Sequence, residues 1–443
     1  MTPDVVVVGG GLAGSTAALA AARTRPGADV VLVPQPDRDA PWPGNDLGDA
    51  GESAVRSSFA SASGLVEVLG KRPDRDGFVT DPFAALDVLP PSHPYSVVGP
   101  AALREALALF DDVTVDRYGG DGTDTNALLP TPWGRLRPTA RYPAAFGAGL
   151  AADRAATTLV GFDELTALDA PLVAERLAEA LPYLVNGLSV GFPADIEAGP
   201  GPVDRTPLSC ADRLDAAEEE SDSEEATNAV VDGIVEALDV HLGTKDRAGF
   251  PAVLGLDHLD RIRERLADRL GVRVFEVGLG PPSVPGMRLG GLFADALADA
   301  GVDILPGTVE GVATTTDRVD RIDVDGTQIK GDAFVLATGG VADGGLVAGR
   351  DGVREPVFGC RVDVPDDRAV WTDRRPVGDH AFARFGVDFD DVLRPLGGRG
   401  AVAFENLRVA GRLLGGHDYT AETSGSGIAI ATGYVAGRDA TRN

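Results

Sequence analysis

The sequence predicts an α/β fold: a Rossmann-like domain of the two-dinucleotide-binding type, carrying a GxGxxG turn, into which a second α/β domain is inserted. Three stretches predict it. "VVVVGGGLAGSTAALAAARTRPGADVVLV" from Val5 reads as strand, glycine turn, helix and second strand. "AFVLATGG" from Ala333 reads as a short apolar strand that leaves through small residues. "ENLRVAGRLLGGHDYTAETSGSGIAIATGYVAGRDA" from Glu405 reads as a strand, a glycine-rich loop and a helix of small residues.

In the first stretch Gly9 permits a tight turn, Gly11 lets the backbone approach a phosphate, and Gly14 lets the helix pack closely on the sheet. The helix start, Gly10 to Ala13 with Leu12 between, offers unpaired N–H groups and partial positive charge to an anion. A phosphate-bearing cofactor is expected. The second and third stretches narrow it to a flavin. Two-domain flavoproteins return late in the chain through a strand ending in Ala-Thr-Gly, and aim a final helix N-terminus at the flavin pyrimidine edge, where negative charge develops on reduction. Here that helix begins at Ser424-Gly425-Ser426-Gly427. The candidate cofactor ligands are Gly9, Gly10, Gly11, Leu12, Ala13, Gly14, Ser63 in the Ser/Gly-rich stretch after the first βαβ unit, Gly339, Gly411, Gly425, Ser426 and Gly427.

The second strand, Asp29 to Val33, runs out into Pro34-Gln35-Pro36, where an acidic side chain ordinarily takes the adenosine ribose. The nearest carboxylates, Asp37 and Asp39, lie past two prolines. FMN fits that mixture, and FAD is the alternative if the loop carboxylates reach the ribose. Hydride transfer with NAD fits poorly for the same reason.

The dinucleotide-type domain is expected from residues 1–70, 285–345 and 400–443. Residues 71–284 form a cap and the inserted α/β domain, with an acidic surface loop at 197–228, and residues 346–399 form a cap segment. A helix is expected at Ala101 to Phe110, followed by strand-like "VTVDRY". The second α/β rhythm runs through strand "ATTLVGF", helix "PLVAERLAEALPYLV", strand "LSVGFPADI", helix "VVDGIVEALDVHL", turn "DRAGFPAVLGL", helix "DHLDRIRERLADRL" and strand "VRVFEVG".

Longer strings carry a family likeness. "HPYSVVGP" at His93, "GFPAVLGL" at Gly249, "PPSVPGMRL" at Pro281, "GGLVAGRDGVREPVFG" at Gly344, "GVDFDDVLRP" at Gly386 and "ENLRVAGRLLGGHD" at Glu405 resemble the B subunit of anaerobic glycerol-3-phosphate dehydrogenase. The resemblance covers nearly the whole chain. It implies a flavoprotein using FMN that pairs with a second flavoprotein, the A subunit. An iron–sulfur partner, the C subunit, would attach the pair to the inner face of the cell membrane and pass electrons to a quinone. The implied reaction oxidises sn-glycerol 3-phosphate to dihydroxyacetone phosphate. Two other readings stay open: a non-catalytic assembly subunit of that complex, and a stand-alone FAD-dependent oxidoreductase.

Within the quoted strings and around them, the candidate polar groups are His93, Tyr95, Arg288, Arg354, Glu355, Arg394 and His417. Arg288, Arg354 and Arg394 match a phosphate with a guanidinium fork. His417 precedes the last helix and is the expected proton acceptor; the catalytic set is His417, Arg354 and Arg394.

Composition agrees with this division of labour. Two cysteines, Cys210 and Cys360, make no CxxC and no metal or iron–sulfur ligand set, so no metal is expected on this chain. No run reaches the roughly 18 apolar residues of a membrane span, and no secretory leader is read at the start, which predicts a cytoplasmic protein. Net charge is −28, a field that repels nucleic acid and anionic lipid. Lys71, Lys245 and Lys330 are the only lysines among 40 basic residues, and aspartate abounds. That pattern resembles proteins of extreme halophiles, in which high ionic strength screens carboxylate repulsion. The thermal midpoint is therefore expected to fall steeply as salt is diluted from molar to millimolar; an unchanged midpoint in salt-free buffer would refute the halophilic reading.

Overall fold

The computed structural model describes residues 2–35, 49–72, 74–193, 206–220, 228–238, 246–350, 352–375 and 378–442. The chain forms two compact units, one of Met1–Phe59, Val66–Val115 and Leu289–Asn443, the other of Ala60–Leu65 and Asp116–Arg288.

In the first unit β1 (Val5–Val8), α1 (Leu12–Thr24) and β2 (Val30–Val33) follow one another as the sequence predicts. Next come α2 (Ala50–Ser58), α3 (Pro94–Val113), α4 (Val284–Asp299), which belongs to this unit from Leu289 onward, and β3 (Asp303–Ile304). An antiparallel trio, β4 (Val309–Thr314), β5 (Val319–Val324) and β6 (Thr327–Lys330), precedes β7 (Ala333–Leu336). The hairpin β8 (Val347–Gly349) and β9 (Gly352–Arg354), then β10 (Leu407–Val409), α5 (Tyr419–Glu422) and α6 (Gly425–Ala440) complete it. The main sheet is parallel with order β3-β2-β1-β7-β10. Val5–Val8, Val30–Val33 and Ala333–Leu336 are buried along their whole length, as parallel strands covered on both faces must be.

Chain reversal puts the first and last helices against each other. A Cβ on Gly433 would collide with the Ala13 carbonyl, and one on Gly437 with that of Ala17. Matching steps of four residues in the same direction make α1 and α6 parallel, packed backbone to backbone along a row of small residues. Two readings are corrected here. The helix expected at Ala101 to Phe110 starts earlier, at Pro94, behind the His93 cap, and bends at Gly99 (φ 80°). It also runs on through Val113, so "VTVDRY" contributes only its last residue, Tyr118, to the two-residue strand Tyr118–Gly119.

The second unit is built on a parallel sheet with spatial order Arg273–Val277, Arg247–Pro251, Thr157–Phe162, Val185–Val190. Its core gathers Leu159, Phe250, Phe275, Leu214 and Ile234. "RAGFP", read as a turn, is an interior strand. Arg, Gly and Pro disguise it, but Arg247 is 1% exposed and donates to Thr157 Oγ1 at 2.6 Å and the Leu150 carbonyl at 3.2 Å. Gly249 leaves room for the Phe275 ring, whose Cε2 lies 2.7 Å from where a Cβ would be. The acidic loop expected at 197–228 is corrected in its middle: Pro207–Glu220 is a helix that buries Cys210, Ala211, Leu214 and Ala217. Its flanks at 197–205 and 221–227 lie outside the described residues.

Gly437→Val is expected to lower the first unit's stability by about 1–3 kcal/mol or more, because the new side chain enters the Ala17 backbone. Gly398→Ala, at a position with nothing within 4 Å, is the matched control. Thermal unfolding in high salt distinguishes them; equal midpoints would show that the α1–α6 contact can yield.

Candidate functional site

The glycine turn leaves β1 at its C-terminal edge, beside the ends of β2, β7 and β10. Gly9 has φ 113° and sits against the Ala337 carbonyl, with Thr338 N 3.1 Å from where a Cβ would stand. A Cβ on Gly10 would lie 2.6 Å from Pro34 Cβ and 2.7 Å from Ser58 Oγ, and one on Gly14 would overlap the Gly9 carbonyl. Gly11 has only the Ser58 carbonyl near it, at 3.7 Å. It is the α1 cap residue and has no side chain to satisfy the N–H groups of the first turn, to which Leu12 and Ala13 belong. This is a backbone cradle for an anion.

From β7 the chain passes this cradle through Ala337, Thr338, Gly339 (φ 82°) and Gly340. From β10 it passes through Gly411 (φ 75°), where a Cβ would be 2.8 Å from that of Ala13. Gly411 N–H donates to Thr432 Oγ1 at 2.8 Å. The α6 start lies on the same side. Because Ala13 faces Gly433, α6 extends seven residues further toward its N-terminus than α1 does, about 10 Å at helical rise. Its cap residue Ser424 also makes no side-chain cap bond, and neither helix has an acidic residue in its first turn. The structure brings Gly9 to Gly14, Gly339, Gly411 and Gly425 to one edge of one sheet. Ser426 and Gly427 are engaged: Ser426 Oγ donates to Glu67 Oε2 at 2.5 Å and accepts from Glu67 N at 2.8 Å, while Gly427 N–H donates to the Glu67 carbonyl at 2.9 Å.

Behind the α6 start lies a buried polar cluster. His93 Nδ1 accepts the Tyr95 N–H at 3.1 Å, which leaves Nε2 as the protonated nitrogen, donating to Glu422 Oε2 at 3.1 Å. Ser424 Oγ donates to the same oxygen at 3.0 Å, and Asp418 N–H to the other at 3.1 Å. Burial acts to raise the Glu422 carboxyl, but the hydrogen bonds from His93 and the Asp418 amide outweigh it and hold the group below its ordinary value. The His417 ring lies 5.9 Å from that of His93, edge to face, and is 3% exposed. Burial pushes its pKa down to about 4. Its Nδ1 is 3.5 Å from the Gly415 carbonyl, and its Nε2 has no hydrogen-bond partner among the described residues. With the ring neutral and Nε2 unpartnered among the described residues, this nitrogen is a buried hydrogen-bond acceptor.

The other named residues lie as follows. Arg394 donates to Asp390 Oδ2 at 2.8 Å and to Glu405, so its fork is occupied. Arg354 is exposed on the β8–β9 hairpin. Glu355 accepts the N–H groups of Val357, Phe358 and Cys360 and organises that loop. Arg288 belongs to the second unit, bound to Glu276 and the Gly255 carbonyl. Ser63 is also in the second unit, its Oγ accepting the Leu65 N–H at 3.3 Å. Asp37 and Asp39 lie outside the described residues.

Residues 4–42 and 49–428 match the FAD binding domain family. The chain is 46% identical over 448 residues to the B subunit of a probable anaerobic glycerol-3-phosphate dehydrogenase of Halobacterium salinarum, covering 98% of this chain and 96% of that one. It is 30% identical over 452 residues to the corresponding B subunit of Vibrio cholerae, covering 98% and 95%. The chain belongs to the B subunit family of anaerobic glycerol-3-phosphate dehydrogenases. Among solved structures it is similar to a 3-ketosteroid-Δ4-(5α)-dehydrogenase of Rhodococcus jostii, 12% identical, covering 99% and 97% with a TM-score of 0.33.

Members of an FAD binding domain family hold a flavin, and two side chains missed by sequence reasoning support the fit. Thr338 Oγ1, beside the Gly9 turn, and Gln35 Nε2, two residues past β2, are buried without hydrogen-bond partners among the described residues. Both are polar atoms at the places where a phosphate and a ribose would approach. Glu67 and Glu422 were also missed. Glu67 had a signal, a lone carboxylate in the apolar run "GLVEVLG", whereas Glu422 ends the short helix α5 with no local pattern to mark it.

The folded chain keeps His417 neutral down to about pH 4, while the unfolded chain takes up that proton near 6.5. Its contribution is complete above pH 6.5 and is lost as pH falls through that window, roughly 3 kcal/mol in all. His417→Gln is expected to reduce the stability lost between pH 7 and pH 5 by roughly 2 kcal/mol, read from denaturant unfolding in high salt; an unchanged loss would mean the proton is taken up elsewhere.

Proposed function

We propose that the protein is the flavin-bearing B subunit of a quinone-linked glycerol-3-phosphate dehydrogenase. In this reading it takes part in oxidising sn-glycerol 3-phosphate to dihydroxyacetone phosphate. The observation that carries it is the pair of parallel helices, α1 and α6, whose uncapped N-termini open on one sheet edge about 10 Å apart along the helix direction. Family membership supplies the chemistry that such an edge serves.

When bound, the flavin accepts the two electrons of the alcohol. The chain's own part is local. Backbone N–H groups at the α1 start take a cofactor phosphate, with the Thr338 hydroxyl beside them. The α6 start opposes negative charge with its helix dipole. His417 Nε2 takes the hydroxyl proton, which its neutral state permits, while the Glu422–His93 pair fixes the ring next to it. Electrons leave through partners: a companion flavoprotein, and an iron–sulfur carrier that holds the complex at the inner face of the membrane. Among the described residues no helix is long and apolar enough to cross a membrane.

FMN is the proposed cofactor. One observation favours FAD instead, the buried Gln35 amide at the end of β2, where a ribose would be held. Acid release and chromatography of the cofactor from the purified yellow protein distinguish them, and Gln35→Ala is expected to weaken binding only of the dinucleotide.

The function is tested by assaying glycerol 3-phosphate oxidation with an artificial acceptor, with and without the companion flavoprotein. His417→Ala is expected to retain flavin and to cut turnover of the assembled complex by about 100-fold or more, in the range of lost acid–base catalysis. A colourless protein that supports full turnover would leave an assembly role, and turnover with no partner present would leave a stand-alone oxidoreductase.

A further inference from the structure

The hairpin β8–β9 of the first unit carries a surface that the flavin chemistry does not use. Val347 pairs directly with Arg354 across the hairpin, so both side chains leave the same face. Arg368, in the turn Arg368–Val370, donates to the Gly349 carbonyl and lies 4.9 Å over the Trp371 ring. That contact sets Val370, 53% exposed, next to the hairpin that bears Val347, 38% exposed. Arg350 stands at the hairpin tip, exposed.

Many arginines of the chain are tied to carboxylates, as Arg384 is to Asp379 and Asp418, Arg394 to Asp390 and Glu405, and Arg438 to Asp439. Arg350 and Arg354 have no carboxylate partner among the described residues. Two carboxylates next to the patch in sequence are turned to backbone: Glu355 to three N–H groups of the following loop, and Asp367 to Ala369 N–H at 2.9 Å. A chain with net charge −28 thus keeps two guanidinium groups without a carboxylate partner among the described residues beside two exposed valines and a tryptophan. Arginine and tryptophan are the residues that dominate protein interfaces, and a guanidinium fork is matched by a carboxylate. In molar salt the Debye length is about 3 Å, so long-range attraction is lost and only such direct contacts, with apolar burial, hold a partner.

We propose that this patch docks the companion flavoprotein of the complex through a face of that protein that is acidic around an apolar centre. The inference rests on the reading of the chain as one subunit of a dehydrogenase complex. The test uses the full-length, flavin-loaded chain and the purified companion flavoprotein in high salt. Hydrogen exchange at residues 347–354 is expected to slow on complex formation. Arg350→Glu and Val370→Asp are each expected to weaken association at least tenfold, with flavin content and thermal midpoint unchanged. A complex that forms with hairpin exchange unaltered, and with both variants binding as the parent does, would overturn the assignment of the surface. An unaltered chain that does not associate with the companion at all would instead overturn the reading as one subunit of a complex, and this inference with it.

Discussion

Gly433 and Gly437 have no side chains, and the carbonyls of Ala13 and Ala17 occupy the space that side chains would need. The close parallel approach of α1 and α6 follows from that absence, and most of the candidate site follows from the approach. It joins the two extremities of the chain around one sheet edge. It also sets the offset between the two helix starts, because the register of glycines against alanines fixes how far α6 projects past α1. Neither start has a side-chain cap, unlike α2, capped by Asp49, or α3, capped by His93. Unsatisfied N–H groups at a helix start are unfavourable unless something else accepts from them; at α6 the Glu67 carbonyl accepts from Gly427, and the remaining open donors of the α1 and α6 starts lie where a flavin would.

The same edge is supported from behind by polar contacts that are nearly all satisfied. Glu422 accepts from His93, Ser424 and Asp418, Ser426 is held by Glu67, and Tyr95 Oη donates to the Val68 carbonyl at 2.6 Å. These bonds stitch residues 67–71 onto 422–427, together with backbone bonds from Gly70 and Lys71 to the Glu422 carbonyl. Against that background His417 Nε2 and Thr338 Oγ1 stand out as buried polar atoms without partners among the described residues. A fold that satisfies its neighbours so fully leaves such atoms open where a ligand completes them.

The parts of the fold legible in sequence were those with one dominant local signal. The run Val5–Val8, the GxGxxG turn, "AFVL" and the amphipathic helix at Leu259–Leu270 each carry a period or a turn chemistry that only one element satisfies. The strand Arg247–Pro251 was read as a turn because its residues are poor strand formers in isolation. It is held by Arg247 bonds to the Ala148 and Leu150 carbonyls and by the Phe275 ring, which are tertiary facts. Within the site, the glycines were readable because their role is to be absent. The arginines were not, because a guanidinium fork matches a carboxylate as well as it matches a phosphate, and only the structure shows Arg394 between Asp390 and Glu405. The His93–Glu422 pair spans 329 positions and no spacing rule reaches that far.

A chain of net charge −28 that binds phosphate-bearing ligands presents an apparent contradiction, and the site's construction resolves it. In dilute buffer the summed field would oppose an incoming phosphate from well beyond contact. In molar salt that field is screened within about 3 Å, and what a ligand meets is decided by the groups it touches. Those groups are backbone N–H donors and helix starts, whose effect is short-ranged and depends on geometry, and a histidine kept neutral by burial. Many arginine side chains, the usual counter-charges, are spent instead on carboxylates, as Arg394 is on Asp390 and Glu405. Acidic solvation and anion binding are therefore carried by different parts of the chain: side chains serve the first and the backbone serves the second. Substituting surface carboxylates alters the salt requirement, while the capacity for a phosphate stays with the glycines of the α1 turn.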